Sequence, residues 1–200
     1  MNPYITMPQI TRETSSGFIK DTLQDEMFQH REVLCIGEIN TDSVNSLIIQ
    51  LHHLHRQSPD SEITMYINSP GGEVTSGLAL YDVMQGISCS IRTVCMGTAA
   101  SMGALLFLSG NQRDILPHSK VMLHDPLVSG GIGGSALEVE RRAQQLMQTR
   151  EITARIIAKH TGKTLKKIYE VTKQDSYFNA EEAVAFGLAD RIITEMRGGI

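Results

Sequence analysis

The segment Gly97-Thr98-Ala99-Ala100-Ser101-Met102-Gly103 sets a serine between small residues, with Ala99 two positions before it and Gly103 two after. That spacing allows the tight strand-to-helix turn of a nucleophile elbow, which exposes the hydroxyl at a helix N-terminus. Free amides and the helix dipole favour developing negative charge there, as acyl transfer requires. The alternative is a serine that merely caps a helix packed by small residues. A second junction, Asn68-Ser69-Pro70-Gly71-Gly72, carries paired glycines that let the backbone turn sharply and present N–H groups.

A serine nucleophile needs a base. Of seven histidines, His124 ends an apolar run, Val121-Met122-Leu123, just before Pro126. The C-terminal end of a strand is where α/β folds gather their functional groups. His30 lies in a poorly patterned arm, and His118 sits beside a turn proline. His160 falls near a helix C-terminus, where a cation is favoured for dipole reasons alone. His52, His53 and His55 crowd one helix, but no Cys, Asp or Glu completes a set at ligand spacing, so no metal site is assigned. The carboxylate that would orient the imidazole is left open by spacing. Asp125 is adjacent but would point to the opposite face of a strand. Asp114, Asp175 and Asp190 remain.

The elements that must carry these residues read as α/β. Short apolar runs at Val33–Ile36, Ile63–Asn68, Ile91–Met96 and Lys120–His124 begin about 29 residues apart, the period of successive βα units on a parallel sheet. Helical patterns intervene. Val44, Leu47, Ile48, Leu51 and Leu54 form one stripe after Thr41, Val74, Leu78 and Tyr81 a second, and Ala99 to Leu108 a third. A Gly-rich stretch, Val128–Gly134, leads into a helical run from Ser135 to about His160. At about 1.5 Å per residue its length is roughly 39 Å. Such a helix overshoots a chain of 200 residues, so its apolar side calls for self-association. Two shorter helices, Thr164–Thr172 and Ala180–Phe186, and a strand at Leu188–Thr194 complete the pattern. The first 25 or so residues show little periodicity and are expected to form a flexible arm.

Composition narrows the class. Eighteen Lys plus Arg against 22 Asp plus Glu leave a formal charge of −4, which disfavours a dedicated nucleic-acid binder. No apolar run is long enough to span a bilayer, and no secretory signal is visible. Three cysteines, Cys35, Cys89 and Cys95, are an odd, sparse set that fits a cytoplasmic protein without disulfides. There is no Walker loop, GxGxxG or CxxC, so nucleotide, dinucleotide and zinc readings have nothing to stand on.

Several blocks in one order resemble ClpP, the family of proteolytic subunits of the Clp protease. They are Ile67–Gly72, Cys95–Ala104, Met122–Leu127, and Asp175 followed by Ala180–Val184 and Gly187–Asp190. The similarity covers roughly Val33 to Ile193. It implies a ClpP/crotonase-like ββα superhelix with a protruding handle helix, divided into an arm or axial region at 1–25 and a protease domain at 26–200, with the handle at about 128–160. Carried over by position, Ser101 is the nucleophile, His124 the base and Asp175 its orienter. The amides of Gly72 and Met102 form the oxyanion hole. Gly71, Val128, Gly130 and Gly131 bind substrate backbone. The resemblance also implies a serine endopeptidase acting on unfolded polypeptide. Its seven-subunit rings stack through the handles, alone or mixed with a second ClpP, and an AAA+ unfoldase binds the ATP, so this chain needs no cofactor of its own.

The chain departs from the family's pattern at four positions. Asp125 stands where Gln usually follows the base, and Ser176 where Arg usually follows the acid and bridges the rings. Thr64 and Gly86 replace aromatics of the groove that grips the ATPase, while Tyr66 is kept. These departures motivate a second reading, a mainly structural ring subunit supporting a more active paralogue. A third, a crotonase-type acyl-CoA enzyme, shares the scaffold but finds support only in the oxyanion glycines.

Overall fold

The computed structural model describes residues 8–15, 17–128, 130 and 133–195. Strands β1 (Gln9–Thr14) and β2 (Gly17–Thr22) pair antiparallel and lead into helix α1 (Leu23–Gln29). Thr22 caps α1 through a reciprocal bond with Asp25. The segment read as an arm of little periodicity thus carries a hairpin from Gln9 onward, and position 25/26 falls inside α1, whose Phe28 packs on the core. Residues 1–7 of the arm lie outside the described residues. The hairpin escaped detection because its alternation is between exposed and half-buried polar groups, such as the Arg12–Asp21 ion pair, and not between apolar and polar ones.

The body is a mostly parallel sheet built as the sequence period predicts. Strands β3 (Glu32–Ile39), β4 (Ile63–Gly72) and β5 (Ile91–Ala100) are parallel neighbours joined by α2 (Thr41–Gln57) and α3 (Val74–Gly86). A short β6 (Gln112–Ile115) pairs with the first half of β5, and β7 (Lys120–Leu123) with its second half. β6 was not anticipated. Its Asp114 is fully buried and accepts from Arg92 at 2.6 Å and Arg191 at 2.8 Å, so polar residues mask a core strand. The last strand shrinks from the expected Leu188–Thr194 to β9 (Arg191–Ile192), parallel to β6.

Helix α4 (Met102–Leu108) begins three residues later than its pattern suggests, because β5 runs on to Ala100. All seven of its residues are buried, and burial of each large side chain contributes about 1.5–3 kcal/mol. Helix α5 (Ala136–Thr161) matches expectation almost residue for residue. Ser135 caps it with Glu138, and Gly162 ends it in the left-handed region at φ 69°. Only Thr153, Ala154 and Ile157 of α5 are buried, while residues 136–145 are all exposed. Helices α6 (Leu165–Thr172) and α7 (Ala180–Phe186) flank an unanticipated strand, β8 (Ser176–Asn179), which pairs antiparallel with β7. No helix among the described residues is long and apolar enough to cross a membrane.

Candidate active site

Strand registers determine which residues meet. Ala100 of β5 lies beside Met122 of β7, and Leu123 of β7 lies beside Ser176 of β8. One residue past Ala100 is Ser101, one past Leu123 is His124, and one before Ser176 is Asp175. Three residues far apart in sequence therefore emerge at one point of the sheet. The distances follow: Ser101 Oγ lies 2.8 Å from His124 Nε2, and His124 Nδ1 lies 3.3 Å from Asp175 Oδ1. Of the three carboxylates that spacing left open, the other two are engaged elsewhere. Asp114 binds Arg92 and Arg191, and Asp190 pairs with Arg113. Burial opposes the charge on Asp114, but its bonds from Arg191, Arg92 and Gln112 outweigh that and hold it below the usual carboxylate range.

Ser101 is held in a conformation that few non-glycine residues adopt, φ 53° and ψ −120°. Its N–H donates to Met122 O at 2.9 Å, tying the elbow to β7. The close approach of β4 makes the glycine next to this turn necessary. A Cβ on Gly71, at φ 99°, would come within 2.7 Å of Ser101 Cβ and 2.8 Å of Ala100 O. A Cβ on Gly72 would meet Ile39 O at 2.1 Å. The carbonyl of Ile39 accepts from the N–H of Glu73 at 2.7 Å. The N–H of Met102 belongs to the first turn of α4, where helical amides have no partner within the helix. Met102 directly follows Ser101, and Gly72 follows Gly71, the glycine that packs against Ser101.

The Gly-rich stretch Val128–Gly134 forms no strand among its described residues; Val128 and Gly130 are exposed, and Gly131 lies outside the described residues. Asp125, as its strand position implied, turns away from His124. It accepts from Arg150 Nε and from Thr172 Oγ1, both at 2.5 Å, joining the strand exit to α5 and α6. The Ser176 hydroxyl turns inward to Val171 O at 2.7 Å. The cysteines are all buried, and burial pushes the thiols of Cys35 and Cys95 up to about 12, so neither is a rival nucleophile. No cluster able to hold a metal occurs among the described residues.

Beside His124 and Gly72 opens a cleft of about 410 Å³, also lined by Glu38, Glu73, Val74 and Leu127. The two glutamates escaped the sequence reading. Their signal was present: each follows a glycine at the C-terminal end of a parallel strand, the edge where such folds collect functional groups. Among known families, the family model described as Clp protease matches residues 15–196.

Proposed function

The chain belongs to the Clp protease family, and from that premise we propose that it is a serine endopeptidase working through Ser101, His124 and Asp175. The observation that carries this reading is the continuous relay from Ser101 Oγ to His124 at 2.8 Å and on to Asp175 at 3.3 Å. Ser101 Oγ attacks the scissile carbonyl carbon while His124 Nε2 takes its proton. The oxygen gains negative charge and receives the N–H groups of Gly72 and Met102; a donor of this kind contributes about 10²–10³ in rate. The C–N bond breaks as His124 returns the proton to the leaving amine. Water then enters by the same relay in reverse and frees Ser101. Asp175 holds the imidazole in the tautomer that leaves Nε2 as acceptor.

Family membership carries with it, in general terms, association with Clp ATPases and assembly into rings. In finer terms, the exposed half of α5 serves as the handle through which heptameric rings stack, enclosing the sites. An AAA+ unfoldase threads unfolded polypeptide inward and is the component that uses ATP. Three unpaired, buried cysteines support a reducing compartment, the cytoplasm. A second reading, a ring subunit activated only beside a more active ClpP, is favoured by the inward-turned Ser176, which offers no charge to an opposing ring. Intact-mass analysis after a fluorophosphonate probe separates the two. The first reading expects one adduct on the wild type and none on Ser101→Ala. The second expects an adduct only after a second ClpP is added, and no adduct under either condition overturns both.

A further inference from the structure

The cleft beside the relay is lined by two carboxylates and two apolar side chains. Glu38 extends from the end of β3 and Glu73 from the start of α3, and both reach the space that His124 and Gly72 border. The Glu38 carboxylate has no hydrogen-bond or ion-pair partner among the described residues. Glu73 is held in place: Thr41 Oγ1 and Ser76 Oγ donate to its Oε2 at 3.1 and 2.6 Å, and Oε1 is engaged by no hydrogen bond among the described residues. Val74 and Leu127 supply the apolar wall, and no Lys or Arg belongs to the described lining. A long basic side chain has the matching form, an alkyl stem that packs on apolar surface and a cationic head that reaches carboxylates.

We propose that this cleft selects substrates with Lys or Arg at a position flanking the scissile bond. The inference rests on the peptidase reading above and adds to it a substrate class. Aspartate and glutamate would bring a like charge to Glu38 and Glu73, and norleucine would fill the apolar wall while leaving both carboxylates without a counter-charge. The selection should weaken as salt screens exposed charges.

The test uses the full-length protein and peptides that differ only in one residue flanking the cleaved bond, Lys, Arg, norleucine or Glu, with products followed by mass spectrometry. The expected order in kcat/KM is Lys and Arg above norleucine by about fivefold, the scale of a partly exposed ion pair, with Glu lowest. E38Q and E73Q, each close in shape to the native residue, should narrow that ratio, and the double variant should bring it to within about twofold of unity. Equal kcat/KM for Lys and norleucine in the wild type, or an unchanged ratio in the double variant, overturns the inference and leaves the peptidase reading standing. Failure of the wild type to cleave any of the peptides, with no fluorophosphonate adduct on Ser101, overturns the peptidase reading itself.

Discussion

Ser101 and Asp175 stand at opposite ends of one relay in unlike surroundings. Ser101 sits between β5, whose last residues Ala99 and Ala100 are buried, and α4, which is buried throughout. Asp175 is 59% exposed at its side chain and precedes a four-residue strand at the edge of the sheet. The geometry at Ser101 is therefore dictated by close packing, which tolerates little adjustment. The geometry at Asp175 depends on a few polar links: Ser176 to Val171 O, Thr172 to Asp125, and Asp125 to Arg150. One end is set by the core, the other by a hydrogen-bonded periphery that also anchors α5. Any regulation through α5 has an easier route to Asp175 than to Ser101.

That contrast can be broken from either end. Ser101→Ala removes the proposed nucleophile and should lower peptide hydrolysis by on the order of 10⁶, with circular dichroism and sedimentation unchanged. Residual turnover well above background would count against Ser101. Asp175→Asn should keep the fold and cost about 10⁴ in kcat, because the imidazole loses the partner that holds its tautomer. Gly71→Ala attacks the packed end: its Cβ would press on Ser101 Cβ and Ala100 O, so a displacement of the elbow should cost on the order of 10² in kcat/KM together with a lower Tm. If Gly71→Ala leaves both unchanged, the tight packing claimed for this end is refuted.

Smaller effects sharpen the peripheral end. Asp125→Asn leaves the Arg150 guanidinium without its carboxylate and should cost about 1 kcal/mol in chemical denaturation, discounted for partial exposure, with a loss of kcat larger than any change in KM. Equal stability and unchanged kcat would detach Asp125 from the positioning of Asp175. The last effect concerns pH and appears only below neutrality. Burial, with help from Lys159 and Arg113, lowers His160 from 6.5 to about 4, where it meets the Tyr81 hydroxyl at 3.0 Å. The unfolded chain then binds the proton at higher pH than the folded one. Stability is complete above 6.5 and is lost as pH falls from there towards 4. His160→Gln should flatten Tm across that window, and an unchanged slope would exclude His160 as its source.

The elbow, the glycine pair, the βα period and the long capped helix were legible because each is a local pattern. Small residues around Ser101 announce a tight turn, and the stripe from Ser135 to His160 announces a helix whatever it packs against. The identity of the site's carboxylate was not legible from spacing, and only the family resemblance pointed to Asp175. In the fold that proximity comes from the antiparallel pairing of β7 with β8, a strand too short and too polar to recognise in sequence. The same holds for β6, for the polar hairpin at Gln9–Thr22, and for Glu38 and Glu73, which line one cleft although 35 positions apart in the chain. Turns and helices follow from interactions between residues a few positions apart. The register of distant strands follows from burying the whole sheet at once, and no window along the chain contains that condition.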